Sequence, residues 1–154
     1  ILLMLHTGLR ISDVALLRKD RVSNGKIFLY AKKNGIAVIL PLKQVVLDAL
    51  ADLPDPAGAG VDCPFYFFNG KSVNSLMNRA QRLLHIVFRK SSVAGAHSHR
   101  FRHTLASNIL AKGGTTDDVA DVLGISPLIA QKHYIKMTVG RQERIERIMN
   151  SVNS

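Results

Sequence analysis

The stretch His99-Arg100-Phe101-Arg102-His103-Thr104, with Leu123-Gly124 and Tyr134 following it, sits in a half of the chain that reads as helix after helix. Ser98 is placed to cap a helix running to Lys112, which Gly113-Gly114 ends. Thr116 opens a further helix to Leu123, Gly124 stops it, and Ser126-Pro127 starts the helix that carries Tyr134. A last amphipathic helix is predicted over Arg141 to Val152, with Ile145, Ile148 and Met149 on one side. Before the quoted stretch, Ser72 to Lys90 shows apolar residues at helical spacing from Val73 through Leu76, Met77, Ala80, Leu83, Leu84 and Val87, with Arg79, Arg82, Arg89 and Lys90 supplying charge.

The first third reads differently. Ile1 to His6 is helical, Thr7-Gly8 breaks it, and Ile11 to Leu17 resumes an apolar helical pattern, which puts Arg10 at a helix junction. From Lys26 to Leu42 the period changes to two: Ile27, Leu29 and Ala31 alternate with Phe28 and Tyr30, Asn34-Gly35 supplies a turn, and Val38-Ile39-Leu40 returns. Lys32 and Lys33 enter that turn. A short helix over Lys43 to Leu53 and a Pro/Gly-rich surface loop from Pro54 to Pro64 complete the pass. The fold class is mixed α+β, mainly helical, with a small antiparallel sheet and a site formed between the two halves.

At 154 residues and 47% hydrophobic content the chain can bury one continuous core. Its formal charge of +10 favours a polyanionic partner, nucleic acid first. No apolar run approaches a membrane span, and no helix joins one strongly basic face to one apolar face, so no membrane partner is expected. Cys63 stands alone, without a CxxC pair for zinc or redox chemistry, which fits a reducing cytosol. The chain starts inside an apolar run without an initiating methionine. Residues 1–154 are therefore expected to be one domain, truncated at its N-terminus.

Cleaving a phosphodiester without a metal takes a nucleophile, cations on the non-bridging oxygens and an acid for the leaving oxygen. Arg10 and Arg102 suit the oxygens, because a guanidinium forks bidentately and stays charged. Tyr134 can attack phosphorus, and a lysine at a hairpin tip, Lys33 with Lys32 as its alternative, can protonate the departing 5′ oxygen.

Thr7-Gly8-Leu9-Arg10-Ile11-Ser12-Asp13, His99-Arg100-Phe101-Arg102-His103-Thr104 and Leu123-Gly124 with Tyr134 strongly resemble the tyrosine recombinases, the phage-type integrases, over nearly the whole chain. The resemblance implies that Arg10 and Arg102 bind the scissile phosphate, that His99 assists proton transfer, and that Tyr134 forms a 3′-phosphotyrosine. The lysine-to-proline distance from Lys33 to Pro41 fits the family's hairpin, which makes Lys33 the general acid. It further implies site-specific recombination (integration or excision) of double-stranded DNA, no cofactor or metal, and a homotetramer on DNA that is monomeric when free. The resemblance also implies an upstream DNA-clamping domain and a cytoplasmic, nucleoid-associated place. One position departs: where the family has histidine or tryptophan after Leu-Gly, this chain has Ile125, which lacks a donor. Catalysis is expected to be slow, with His103 or His133 assisting, because one such donor is worth about 3 kcal/mol at the transition state.

Taken singly these residues have plainer readings. Tyr134, Tyr30 and Tyr66 each read as core tyrosines, His6, His85 and His97 as structural or exposed, and Asp13 as orienting an arginine. His99 and His103, four apart, could grip zinc but lack a third ligand. Residues 120–126 also resemble a helix-turn-helix, the alternative being a DNA-binding regulator with Ile125 as an ordinary core residue.

Overall fold

The computed structural model describes residues 1–91, 93, 95–135 and 141–152, the backbone alone for 141–144. Helix α1 (Leu2–Thr7) ends on Gly8 at φ 64°. A side chain there would lie 2.7 Å from Leu123 Cδ2 and 3.0 Å from Leu105 Cδ2, so the absence of a Cβ also permits close helix approach. Thr7 holds the corner from inside: its hydroxyl donates to Leu3 O and accepts from Leu9 N at 3.3 Å. Helix α2 (Ile11–Ala15) is shorter than the apolar pattern suggests and is followed by a 3₁₀ turn at Lys19–Arg21.

The sheet has three antiparallel strands in the order β1 (Val22–Ser23), β2 (Lys26–Tyr30), β3 (Ala37–Pro41). Strands β2 and β3 pair Ile27 with Leu40 and Leu29 with Val38, and all four side chains are buried on one face. The two-residue β1 is too short to leave an alternating pattern, so the sequence reading missed it. The other face corrects a second expectation: Tyr30 is no core tyrosine but is 60% exposed, its ring edge-on to Phe28 at 5.3 Å. Alternation decides this, since Tyr30 has the parity of Phe28 and not of Ile27 and Leu29.

Helices α3 (Gln44–Ala51) and α4 (Val73–Lys90) follow, the latter capped by the Ser72 hydroxyl accepting from Ser75 N. No residue of α4 is fully buried, and Leu83, Ile86 and Val87 are exposed. Helix α5 (Ser98–Ala111) starts one residue earlier than expected: His97 takes the N-cap position, without a side-chain bond, and Ser98 lies inside. Helix α6 (Thr116–Leu123) has a reciprocal capping box between Thr115 and Asp118 and stops on Gly124 at φ 57°. Helix α7 (Pro127–Tyr134) begins at the Ser126 cap with proline at the first turn, and α8 (Arg141–Val152) closes the described chain.

Two apolar clusters result. The larger joins α1, α2, the sheet and α3 around Leu9, Ile27, Val38 and Val46; the smaller joins α5, α6 and α7 around Leu110, Val119, Leu123 and Tyr134. Val122 packs against both, so the clusters meet along α6. Each fully buried Leu or Val contributes about 1.5–3 kcal/mol relative to exposure.

Candidate active site

Arg102 is the central group. It is 7% exposed; its Nη1 donates to Gly8 O at 2.5 Å and its Nη2 to Leu123 O at 2.8 Å. Those carbonyls lie at the C-terminal ends of α1 and α6, where a helix has unpaired acceptors and partial negative charge. A planar guanidinium can answer both at once; an ammonium cannot span them with the same geometry. Burial first, then the neighbouring Arg10, pulls the Arg102 guanidinium down to about 10, so it remains a cation at neutral pH.

Arg10 forms the N-cap of α2, in extended backbone between two helices. Its Nη1 lies 4.0 Å from Asp13 Oδ2, and both atoms are buried without a hydrogen-bond partner among the described residues. Asp13 accepts from Lys32 N at 3.0 Å through its other oxygen. Asp13 thus faces an arginine, as its sequence position suggested, and also holds the strand that leads into the lysine turn.

Tyr134, the last residue of α7, is 5% exposed and packs in the smaller cluster beside Ala130. Burial raises its phenol pKa and Arg102 pulls it back, so the hydroxyl is protonated at neutral pH and needs an acceptor for its proton. The His103 ring lies 5.6 Å from the tyrosine ring and His133 6.4 Å. His99, at the start of α5, is exposed and 6.3 Å ring to ring from His97. Partial burial, then Arg102, His97, His103 and Arg10, hold its imidazole below the ordinary range, leaving it neutral near pH 7 and able to accept a proton.

Arg102 is therefore the common electrostatic neighbour of Arg10, His99 and Tyr134. Lys33 is exposed at the β2–β3 turn, flanked on both sides by residues bonded into that neighbourhood: Lys32 to Asp13, and Asn34, whose Nδ2 donates to Gly124 O at 3.0 Å. Sequence reasoning read Asn34 only as a turn former. Its second role depends on a residue ninety positions away, and no local pattern carries that. Ile125 is 7% exposed in the smaller cluster, an apolar wall with no donor. Helices α6 and α7 are joined by the short turn at residues 124–126, and on α7 Ala130 and Tyr134 are buried while Leu128 and Ile129 are exposed.

A buried tyrosine in the field of a buried arginine, in a mainly helical fold with a small antiparallel sheet, matches the catalytic-domain fold of the tyrosine recombinases. The chain aligns with XerA recombinase over 99% of its own length and 56% of that chain, with a TM-score of 0.66 at 19% identity. With a lambda integrase(75-356) dimer bound to a COC′ core site the TM-score is 0.59 at 15% identity, covering 85% of this chain and 49% of the other. The chain belongs to the phage integrase family, whose profile matches residues 1–141. Among curated relatives, tyrosine recombinase XerC of Xanthomonas axonopodis pv. citri (strain 306) is 26% identical over 131 residues, which span 83% of this chain and 42% of the relative. The chain thus spans less than half the length of that relative.

Proposed function

We propose that this domain cleaves and rejoins DNA strands site-specifically through a covalent 3′-phosphotyrosine, the exchange of one phosphodiester for another needing no external energy. The observation that carries the reading is the cluster of cationic side chains itself. Arg10 Nη1 is buried without a hydrogen-bond partner, Asp13 Oδ2 standing off at 4.0 Å, and it neighbours the buried Arg102, in whose field the phenol of Tyr134 lies. Burying two like charges together is costly, and the single Asp13 carboxylate offsets one of them; a phosphodiester supplies a further negative charge and two non-bridging oxygens for the unbonded guanidinium donor. Tyr134 Oη attacks phosphorus while its proton passes to neutral His99; Arg10 and Arg102 take the charge that develops on the oxygens; Lys33 gives its proton to the departing 5′ oxygen. The lysine is then neutral and the 5′ end is a hydroxyl, ready for the reverse step on a partner strand.

Two features bear on assembly and rate. Ile145, Ile148 and Met149 of α8 are exposed, which supports α8 docking onto a neighbouring protomer and a homotetramer on double-stranded DNA. Ile125 supplies no hydrogen bond to the phosphoryl oxygen, so cleavage is slow, with His103 and His133, both near Tyr134, as the histidines placed to assist. Relaxation of supercoiled plasmid in chelator, followed by a denaturing gel, tests the reading. The parent chain relaxes DNA and forms a protein–DNA adduct, Tyr134→Phe does neither, and Ile125→His raises the cleavage rate. Binding without relaxation or adduct, even in Ile125→His joined to an upstream DNA-clamping domain, would leave a DNA-binding regulator as the function.

A further inference from the structure

Lys33 has four rotatable bonds between its backbone and its proton, so its use as an acid depends on where the turn carrying it is held. Two long-range hydrogen bonds bracket it. On one side Lys32 N donates to Asp13 Oδ1 at 3.0 Å; on the other Asn34 Nδ2 donates to Gly124 O at 3.0 Å. The far ends of both bonds adjoin the arginines: Asp13 Oδ2 lies 4.0 Å from Arg10 Nη1, and Leu123, next to Gly124, accepts from Arg102 Nη2 at 2.8 Å. The turn is itself closed by Asn34 N and Gly35 N donating to Ala31 O and by Ala31 N donating to Ile36 O. Its base packs on the α6–α7 turn so tightly that a Cβ on Gly124 would lie 2.6 Å from Val38 Cγ2 and 3.2 Å from Ala31 Cβ.

We propose that Asn34 is a positioning residue for the strand-cleavage reaction: its bond to Gly124 O registers the Lys33 turn against the carbonyl frame that holds Arg102, setting the lysine ammonium at the leaving 5′ oxygen. This rests on the assignment of Lys33 as general acid. Asparagine suits the task because its amide donates to Gly124 O while its Oδ1 accepts from Ile36 N at 3.4 Å, tying the turn to both sides. Aspartate would turn an acceptor toward a carbonyl. Alanine would leave the turn held on the Asp13 side only. Displacing a catalytic group by about 1 Å costs on the order of a hundredfold in rate, and loss of general-acid help a similar factor.

The test compares two nicked duplexes, one with the ordinary 5′-bridging oxygen and one with sulfur in its place, in single-turnover cleavage. A thiolate leaves without being protonated, so the sulfur duplex does not need the acid. Asn34→Ala should cleave the oxygen duplex about ten- to a hundredfold more slowly with DNA affinity unchanged, and the sulfur duplex at the parent rate. Asn34→Asp should behave like Asn34→Ala, and Asn34→Gln, which keeps the donor, should recover part of the rate. Equal slowing on both duplexes, or on neither, overturns the proposal. Lys33→Ala separates the two layers: if the sulfur duplex fails to rescue it, the lysine assignment falls; if it rescues Lys33→Ala but not Asn34→Ala, only the positioning role falls. Hydrogen exchange of amides 31–36 in the free protein reads the clamp without catalysis. Faster exchange in Asn34→Ala is expected, and unchanged exchange overturns it.

Discussion

At the scale of single residues, His99 has the most direct pH signature. The imidazole lies below its ordinary value in the fold, chiefly through partial burial and then through Arg102, His97, His103 and Arg10. The folded chain therefore binds this proton less readily than the unfolded chain. Stability contributed by neutral His99 is present above its unfolded value of about 6.5 and is lost as pH falls through it. Single-turnover adduct formation should stay flat through neutral pH and fall on the acid side, below about 6.5. His99→Gln should slow cleavage about a hundredfold and abolish that acid limb. An acid limb that survives in His99→Gln would assign it to another group. The arginines, His99 and Tyr134 could be picked out in the sequence as candidates because their types and order suit the proposed chemistry. What Arg102 binds in the fold, the carbonyls of Gly8 and Leu123, could not be, because both partners come from other helices.

At the scale of elements, the termini of α1 and α6 do the positioning. Gly124 ends α6 at φ 57°, in the left-handed region, and has Val38 Cγ2 where a Cβ would need to be. Gly124→Ala should lower stability by about 2 kcal/mol or more, strain and clash together, by thermal or denaturant unfolding. Gly113→Ala is the control: its φ of 88° costs strain, but nothing lies within 4 Å, so about 1 kcal/mol is expected. Equal losses at the two sites would show that packing against the sheet adds nothing at Gly124. The sequence marked both helix stops correctly, since glycine there is a local conformational requirement. It marked α2 and α3 too long and missed β1, because runs of two to eight residues take their ends from neighbouring contacts more than from their own period.

At the scale of the whole molecule, the charge of +10 sets how the chain meets a polyanion. If binding neutralises about six to ten phosphates, affinity for a duplex measured by fluorescence anisotropy should fall about a thousandfold or more between 50 and 200 mM salt. A shallow salt dependence would mean that the excess lysines and arginines lie off the binding face. Composition, the helical and two-residue periods and the glycine stops were determined by the sequence alone, because each depends on residue type or on spacing within one element; Arg10, Lys33, His99, Arg102 and Tyr134 were named as candidates by residue type and family resemblance. Three things were decided only in three dimensions. They are the burial of Arg102 between two helix ends, the burial of Ile125 as an apolar wall, and the bond from Asn34 to Gly124. Each requires side chains from elements far apart in the chain to meet, and local propensity holds no information on which distant backbone carbonyl a donor will find.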